Sequence, residues 1–400
     1  MVTGIELIAA ATVALIGLAG LETWSHKRAL KRIPIRIHVA GTRGKSSVTR
    51  LLAAGLRGAG IRTAAKTTGT LARMILPDGR EVPVFRPNGS NIIEQKRIIA
   101  TAAALNVEAL VIECMALNPL LHWISEKKLI RATHGVITNA REDHLDIMGP
   151  TARHVAECLA GMIPVRGKVF TAEEEFYDVF SSASEDRRSD CTKLSKEAIA
   201  AVTPEDLSGF SYLEHAENVA LALAVLKDLG IDRETALSGM WQTAPDPGAL
   251  TEHVIDFFSR KIIFVNGFAA NDPLSTKRIW DRSVENHPDV GRTVAVFNLR
   301  GDRPDRTQQL AAGTDFWHNA DRVILMGTGA YSFARLAGRK GVDGTRFVYA
   351  DFDRVDDIFE TIVSVCGETT LVVGMGNIGG LGLSLSSYFK NRATLTKERQ

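Results

Sequence analysis

The nine residues Val39-Ala40-Gly41-Thr42-Arg43-Gly44-Lys45-Ser46-Ser47 constrain this 400-residue chain more than any other stretch. They follow a short apolar-alternating run at 33–38 and lead into a helically periodic segment at 47–56. A strand, a glycine turn and a helix N-terminus in that order suit phosphate. Backbone N–H groups converge on the anion, the helix dipole favours it, Lys45 neutralises it, and the Ser46 hydroxyl can hold Mg²⁺. The glycine spacing departs from the common G-x-x-x-x-G-K-[ST] pattern, whose first glycine would fall at Val39. Here the loop is Gly41-Thr42-x-Gly44-Lys45-Ser46, a shorter form.

The flanking sequence alternates short β-branched runs with helical stretches as far as about Pro245. Strands are expected at 35–40, 109–113 and 135–139, and helices at 47–59, 91–105 and 215–229. That alternation predicts an α/β fold, a parallel-sheet phosphate-loop domain with helices on both faces. The polar run at 181–190 reads as an exposed loop. Pro245-Asp246-Pro247-Gly248 breaks the pattern and marks a hinge or domain boundary. Beyond it, expected strands at 261–265, 293–298, 322–326 and 370–374 form a smaller C-terminal α/β domain. The tail from Lys390 is polar and reads as frayed, and no internal repeat is present. The length accommodates two or three domains, and 45% hydrophobic with 24% charged residues suits a soluble α/β body.

The N-terminus is of another kind. Residues 7–21 are uniformly apolar or small, Trp24 follows, and a basic cluster runs from Lys27 to Arg36. A cleaved signal peptide carries its positive charge before the apolar run, whereas here it comes after. The reading is a single transmembrane helix with the bulk of the chain cytoplasmic, the cell membrane being its location. A buried or docking helix is the alternative. No Asp or Glu occurs between Thr23 and Pro77, a bias that suits phosphate and anionic lipid heads. The expected division is therefore 1–24 as membrane anchor, 25–35 as basic juxtamembrane segment, 36–247 as central nucleotide-binding domain and 248–400 as C-terminal domain. The four cysteines, Cys114, Cys158, Cys191 and Cys366, lack metal-ligand spacing and read as reduced core thiols.

Further residues carry chemistry. Val111-Ile112-Glu113 ends an apolar strand in a carboxylate, where ligand crevices of parallel sheets lie. Glu113 is placed either to hold Mg²⁺ near the loop or as a solvated strand-end acid. A second strand, Gly135 to Asn139, opens onto Glu142-Asp143-His144-Leu145-Asp146, which reads as a metal or phosphate site or as a helix cap with a packed histidine. Arg300, Arg303 and Arg306 follow another strand and suit carboxylate or phosphate, or a surface ion-pair network. Gly374-Met375-Gly376-Asn377-Ile378-Gly379 fits a dinucleotide fingerprint, but no strand ending in an acid follows. A tight strand-to-helix turn explains it better.

Taken together, the loop, Glu113 and Asp143-His144-Leu145-Asp146 resemble the Mur ligase superfamily, which carries these motifs in this order. His215-Ala216-Glu217-Asn218 resembles the helix start whose asparagine contacts adenine in that superfamily. The resemblance implies that Gly41, Thr42, Arg43, Gly44, Lys45, Ser46, Ser47 and Asn218 bind ATP. It implies Mg²⁺ on Ser46 and Glu113, a second Mg²⁺ helped by His144, and catalytic roles for Lys45, His144, Arg300 and Arg303. Three departures narrow the choice. Glu157-Cys158-Leu159-Ala160 lacks the lysine that many members carbamylate, Pro247-Gly248-Ala249 replaces a Pro-Gly-Arg linker, and the second domain opens with Asn266-Gly267-Phe268-Ala269-Ala270-Asn271-Asp272-Pro273. With Lys66-Thr67-Thr68-Gly69-Thr70, Glu113-Cys114-Met115-Ala116 and Arg303-Pro304-Asp305-Arg306-Thr307, these resemble the ligase subunits of poly-γ-glutamate synthases (CapB/PgsB type).

That resemblance implies an ATP-dependent acid–amino-acid ligase. A γ-carboxylate takes the γ-phosphoryl of ATP, and the amine of an incoming glutamate displaces phosphate to form a γ-amide. Expected partners are glutamate, the growing poly-γ-glutamate, the membrane and other membrane subunits of a synthase; no nucleic-acid partner is expected. Two alternatives stand beside it: another ligase of the superfamily, of folylpolyglutamate or cell-wall type, and a membrane-tethered ATPase without ligase activity.

Overall fold

At the centre of the first sheet, β1 (Ile35–Ala40) is hydrogen-bonded in parallel to a neighbour on each side, so its later residues are all buried. The computed structural model describes residues 4–69, 71–86, 89–246, 250–270, 273–301, 304–350 and 354–397. The chain divides into two compact units, Met1–Ala244 and Pro245–Gln400. Pro247, Gly248 and Ala249 of the expected hinge, and Asn271 and Asp272, lie outside the described residues.

The first unit's sheet adds β2 (Thr63–Thr67), β3 (Arg73–Ile75), β4 (Glu81–Pro83), β5 (Ala109–Glu113), β6 (His134–Ile137), β7 (Lys168–Thr171) and β8 (Asp190–Lys193). Their order is β4-β3-β2-β5-β1-β6-β7-β8, parallel except for β3 and β4. The antiparallel edge escapes the sequence pattern because three-residue strands are too short to show a period. Helix α1 (Gly4–Lys31) precedes β1, α2 (Lys45–Gly58) follows the glycine loop, and α3 (Glu94–Ala104) precedes β5. Strand β6 ends two residues earlier than expected: the Thr138 N–H still donates to the Ala40 carbonyl, but the Thr138 and Asn139 side chains turn to the glycine loop. The expected loop at 181–190 is a correction. A helix at Tyr177–Asp186 and the start of β8 occupy it. Phe180 and Ser184 anchor its inner face, and the polar residues are its outer face.

Helix α2 meets the helix Arg233–Trp241 at backbone distance because both carry glycine at the crossing. A Cβ on Gly239 would lie 2.6 Å from the Ala54 carbonyl oxygen and 3.1 Å from the Cα atoms of Gly55 and Gly58. Apolar residues of α2, the helix Ala216–Asp228 and the sheet complete this core.

Two buried ionic contacts tie the sheet to its surroundings. His38 of β1, fully buried, lies 2.8 Å by Nδ1 from Glu126 Oε2, while Glu126 Oε1 accepts the Ala132 N–H at 2.7 Å. Lys66 of β2, also fully buried, lies 2.6 Å from Glu94, which Arg86 grips with both arms at 2.7 and 2.8 Å. Burial pushes the Lys66 ammonium down, against the pull of Glu94.

Along α1 the large apolar residues from Ile5 to Trp24 are exposed, and only Leu30 is buried. The helix is long and apolar enough to cross a membrane by length and composition. Its last turns dock on the body: the His26 ring meets the Leu129 carbonyl at 2.8 Å, and Lys96 pairs with Glu22 at 2.8 Å.

The second unit holds β9 (Thr251–Phe257), β10 (Arg260–Asn266), β11 (Arg292–Asn298), β12 (Arg322–Met326), β13 (Phe347–Ala350) and β14 (Thr369–Gly376). The order is β13-β12-β11-β14-β10-β9, parallel except for β9. Phe297, Trp317 and Phe333 pack one face, and Phe264 stacks on Phe389 at 4.0 Å on the other. The segment at 374–379 is the turn from β14 into the helix Leu381–Lys397. Gly376 has φ 98°, and a Cβ there would lie 2.6 Å from the Asn298 carbonyl oxygen, so the turn is closed on protein. The polar tail, read as frayed, continues this helix to Lys397, because Phe389 and Ala393 anchor it in the core.

Gly239→Val is expected to lower the urea midpoint by the equivalent of about 1–3 kcal/mol through overpacking, whereas Gly338→Ala, with nothing within 4 Å of its Cβ, should not destabilise. A second expectation concerns pH. Burial pulls the His38 imidazole down, but the adjacent Cys114 sulfur and the Glu126 carboxylate outweigh it and raise it from 6.5 to about 9. The folded value is the higher one, so the contacts of His38 with Cys114 and, to a smaller extent, with Glu126 stabilise fully below about pH 6.5 and lose that gain as pH rises through about 9. The stability gap between wild type and Glu126→Gln should therefore shrink across that window; a gap independent of pH contradicts it.

Candidate active site

The loop Gly41–Gly44 is shaped by what surrounds it. Gly41 has φ 132°, and a Cβ on it would come within 2.0 Å of Thr138 Oγ1. Gly44 has φ 80° and caps α2 with no side-chain hydrogen bond. A Cβ there would lie 2.6 Å from Asn218 Oδ1. Only glycine combines that backbone with that clearance.

The first half of the loop is braced by the end of β6. Asn139 Oδ1 accepts the Thr42 hydroxyl at 2.7 Å and the Arg43 N–H at 3.0 Å, and the Asn139 carbonyl accepts the Thr42 N–H at 3.0 Å. Thr138 Oγ1 donates to the Arg43 carbonyl at 2.6 Å. The Thr42 and Arg43 N–H groups are thus committed to protein, which narrows the anion-facing set from the whole loop to its second half. There the first-turn N–H groups of Lys45, Ser46 and Ser47 have no intrahelical acceptor by helix geometry. The α2 dipole adds positive potential at the same point. Lys45 Nζ donates to the Gly41 and Thr42 carbonyls at 2.7 and 3.3 Å, which brings its charge to the loop mouth.

Across the loop stands Glu113, at the end of β5. Its Oε2 accepts the Ser46 hydroxyl at 2.9 Å and the Thr68 N–H at 2.7 Å. A hydroxyl and a carboxylate oxygen at the head of a phosphate-binding helix are hard ligands that fit Mg²⁺, which takes its other positions from phosphate and water. Asn218 lies in the first turn of the helix Ala216–Asp228, and its Nδ2 donates to buried Glu214 at 2.9 Å, which turns Oδ1 toward Gly44.

The other expected residues are placed differently. Arg43 turns its guanidinium to Asp143 at 2.8 Å. His144 adopts φ 48°, with Nε2 3.9 Å from Asp143 Oδ1. Among the described residues no three His, Cys, Asp or Glu side chains converge to hold a metal by themselves. At the position compared with the carbamylated lysine, Glu157 points outward beside Arg153 at 3.5 Å, while Cys158 is buried. Arg300 lies in the second unit against the turn at Gly379, and Arg303 lies outside the described residues. Arg306 donates to Asn377 Oδ1 at 2.6 Å.

Asn139, Thr138 and Thr68 were not singled out in the sequence as site residues. The signal existed: both sites follow a buried parallel strand, the same placement that pointed to Glu113.

Substituting Asn139→Ala should weaken nucleotide binding about tenfold or more while leaving the fold intact, because a braced loop becomes mobile. Gly44→Ala should abolish binding by forcing a methyl group into Asn218. Isothermal titration with ADP reads both, and unchanged affinity in Gly44→Ala would contradict the assigned loop geometry.

Residues 39–225 match the family described as "Mur ligase middle domain", and residues 251–392 match "Poly-gamma-glutamate synthase CapB C-terminal domain". The chain is 42% identical over 325 residues to the capsule biosynthesis protein CapB of Bacillus anthracis, covering 81% of this chain and 69% of that one. It is 37% identical over 376 residues to the PGA synthase CapB of Bacillus subtilis (strain 168), covering 94% of each. The Mycobacterium tuberculosis folylpolyglutamate synthase complexed with ADP and AMPPCP shares the fold, with TM-score 0.66, 18% identity, and 94% of this chain and 98% of that one covered. With two relatives matched over most of their length and both segments matched in order, the chain belongs to the CapB family of poly-γ-glutamate synthases, built on the Mur ligase fold.

Proposed function

We propose that this chain is the ATP-dependent amide ligase that lengthens poly-γ-glutamate, joining the γ-carboxylate of one glutamate to the amine of the next. The observation that carries the reading is the linked set Lys45, Ser46, Glu113 and Thr68 at the head of α2, in a chain 37% identical over 94% of a curated PGA synthase.

The residues divide the work by charge. The Lys45, Ser46 and Ser47 N–H groups and the Lys45 ammonium receive the phosphates. Asn218, held by Glu214, is the proposed adenine contact. Ser46 and Glu113 would hold Mg²⁺, which when bound neutralises phosphate oxygens. A substrate γ-carboxylate then displaces ADP from the γ-phosphoryl, giving an acyl phosphate. The glutamate amine attacks the acyl carbon, phosphate leaves, and the amine gives up a proton. Arg300 and Arg303 are proposed to steer the anionic substrates, and His144 to act near the phosphates, since several anionic oxygens must be held together. α1 is proposed to anchor the chain in the cell membrane, with the body on the cytoplasmic side and other membrane subunits of the synthase beside it.

The test is ADP release by the purified full chain with ATP, Mg²⁺ and each glutamate enantiomer, alone and with its membrane partners, alongside mass spectrometry of the products. Glutamate-dependent ADP release with γ-linked products is expected. Release indifferent to glutamate points instead to a tethered ATPase without ligase activity. Lys45→Ala should lower kcat by about a hundredfold or more. Chelation should abolish turnover, and Glu113→Gln should raise the Mg²⁺ needed for half-maximal rate about tenfold or more; an unchanged Mg²⁺ requirement removes Glu113 from the metal.

A further inference from the structure

A cavity of about 1490 Å³ in the first unit lies away from the phosphate loop, at the opposite edge of the sheet. Strands β1, β6, β7 and β8 are consecutive and parallel, so their first residues share one edge. That edge carries a row of arginines: Arg36 at the start of β1, Arg131 just before β6, Arg166 just before β7 and Arg188 just before β8. Neighbouring strands are about 4.8 Å apart, so the row spans roughly 15 Å. Lys27 and Lys31 from the last turns of α1, and Lys127 and Lys128 beneath Trp123, close the other walls.

The charge is neutralised only in part from within. Two acids line the cavity, Glu126 and Asp186, against ten lysines and arginines, and Glu126 is turned to His38 and the Ala132 N–H. Arg36 and Arg187 donate to backbone carbonyls, and Glu126, joined by Asp186 at Arg187, offsets part of their charge. Among the described residues, Lys27, Lys31, Arg131, Arg166 and Arg188 have no ion-pair partner. Arg131, Arg166 and Arg188 also hold φ of 51°, 55° and 56°, a conformation that glycine or asparagine adopts at lower cost. Three separate turns thus keep arginine against backbone preference, all on one cavity.

We infer that this cavity binds the phosphate headgroup of an anionic phospholipid, or of two together. The inference rests on α1 being inserted in the membrane. The cavity is walled by the turns of α1 that follow the exposed apolar stretch and Trp24, a residue suited to the membrane interface. Lipid phosphates lie at that level, and a basic pocket beside a spanning helix is how headgroups are held. β1 spaces the cavity roughly 20 Å from the phosphate loop, at about 3.3 Å per residue, so substrate and product at the loop are not its occupants. Its role is to fix the height and tilt of the catalytic unit on the membrane.

The experiment uses the full chain in a neutral detergent, with native mass spectrometry against phosphatidylglycerol, phosphatidylcholine and soluble poly-γ-glutamate. Wild type should retain phosphatidylglycerol over phosphatidylcholine. The Arg131→Asn/Arg166→Asn/Arg188→Asn variant, whose asparagines tolerate the backbone, should lose about a hundredfold in that affinity, at on the order of 1 kcal/mol for each basic residue. Its thermal stabilisation by ADP should be unchanged, which certifies that the unit is folded. Equal retention of the two lipids, an unaltered variant, or preference for poly-γ-glutamate overturns the proposal. Carbonate extraction of membranes reads the anchor separately. A chain that is extracted overturns both readings, and a resistant chain indifferent to lipid charge overturns the cavity assignment alone.

Discussion

Everything at the candidate active site depends on β1 being paired in parallel on both sides. Val39 stands opposite Glu113, and Ala40 opposite Ile137. That register delivers the ends of β5 and β6 to either flank of the glycine loop. On one side arrives a carboxylate that meets Ser46, and on the other a Thr-Asn pair that takes up the loop's own backbone groups. Shifting a strand by one residue would turn the ladder's side chains to the other face and remove both partners. The register is itself secured by burial, since neither face of the central strands meets water.

The loop is rigid in one half and open in the other, and both properties serve anion binding. Thr42 and Arg43 are held by Asn139, so the turn need not be ordered when a ligand arrives. The head of α2 carries no side-chain cap, so its first-turn donors remain for an incoming anion. Behind this arrangement sit charges that are expensive to bury singly and are paired: Lys66 and Arg86 with Glu94, and His38 with Glu126. Lys66 shares its strand end with Thr68, so the same ionic knot that fastens α3 to the sheet also sets the backbone that Glu113 touches.

The loop, Glu113 and the start of the Asn218 helix are legible from the chain because each is local: a few consecutive residues, read against a period of two or 3.6, announce a strand end or helix start. Strands at the heart of both sheets are legible for the same reason, and 322–326 appears as read. The antiparallel edge, the helix at Tyr177–Asp186 and the brace at Asn139 are not. Short edge strands have no period, and the amphipathic face of a polar helix is visible only once Phe180 has a core to enter. A side chain 96 residues from the loop cannot announce that it will accept the loop's hydrogen bonds.

The sequence by itself determined an α/β chain with a phosphate loop, a strand-end carboxylate, an apolar N-terminal helix and a basic segment after it, because these are properties of neighbouring residues. Only the tertiary structure decided which loop donors stay available, that Arg43 is taken by Asp143, that His144 stands without a converging metal cluster among the described residues, and that the basic residues form a walled cavity. The physical reason is the same in each case. Donor availability, pairing and enclosure are set by groups that parallel strand pairing brings together from distant parts of the chain.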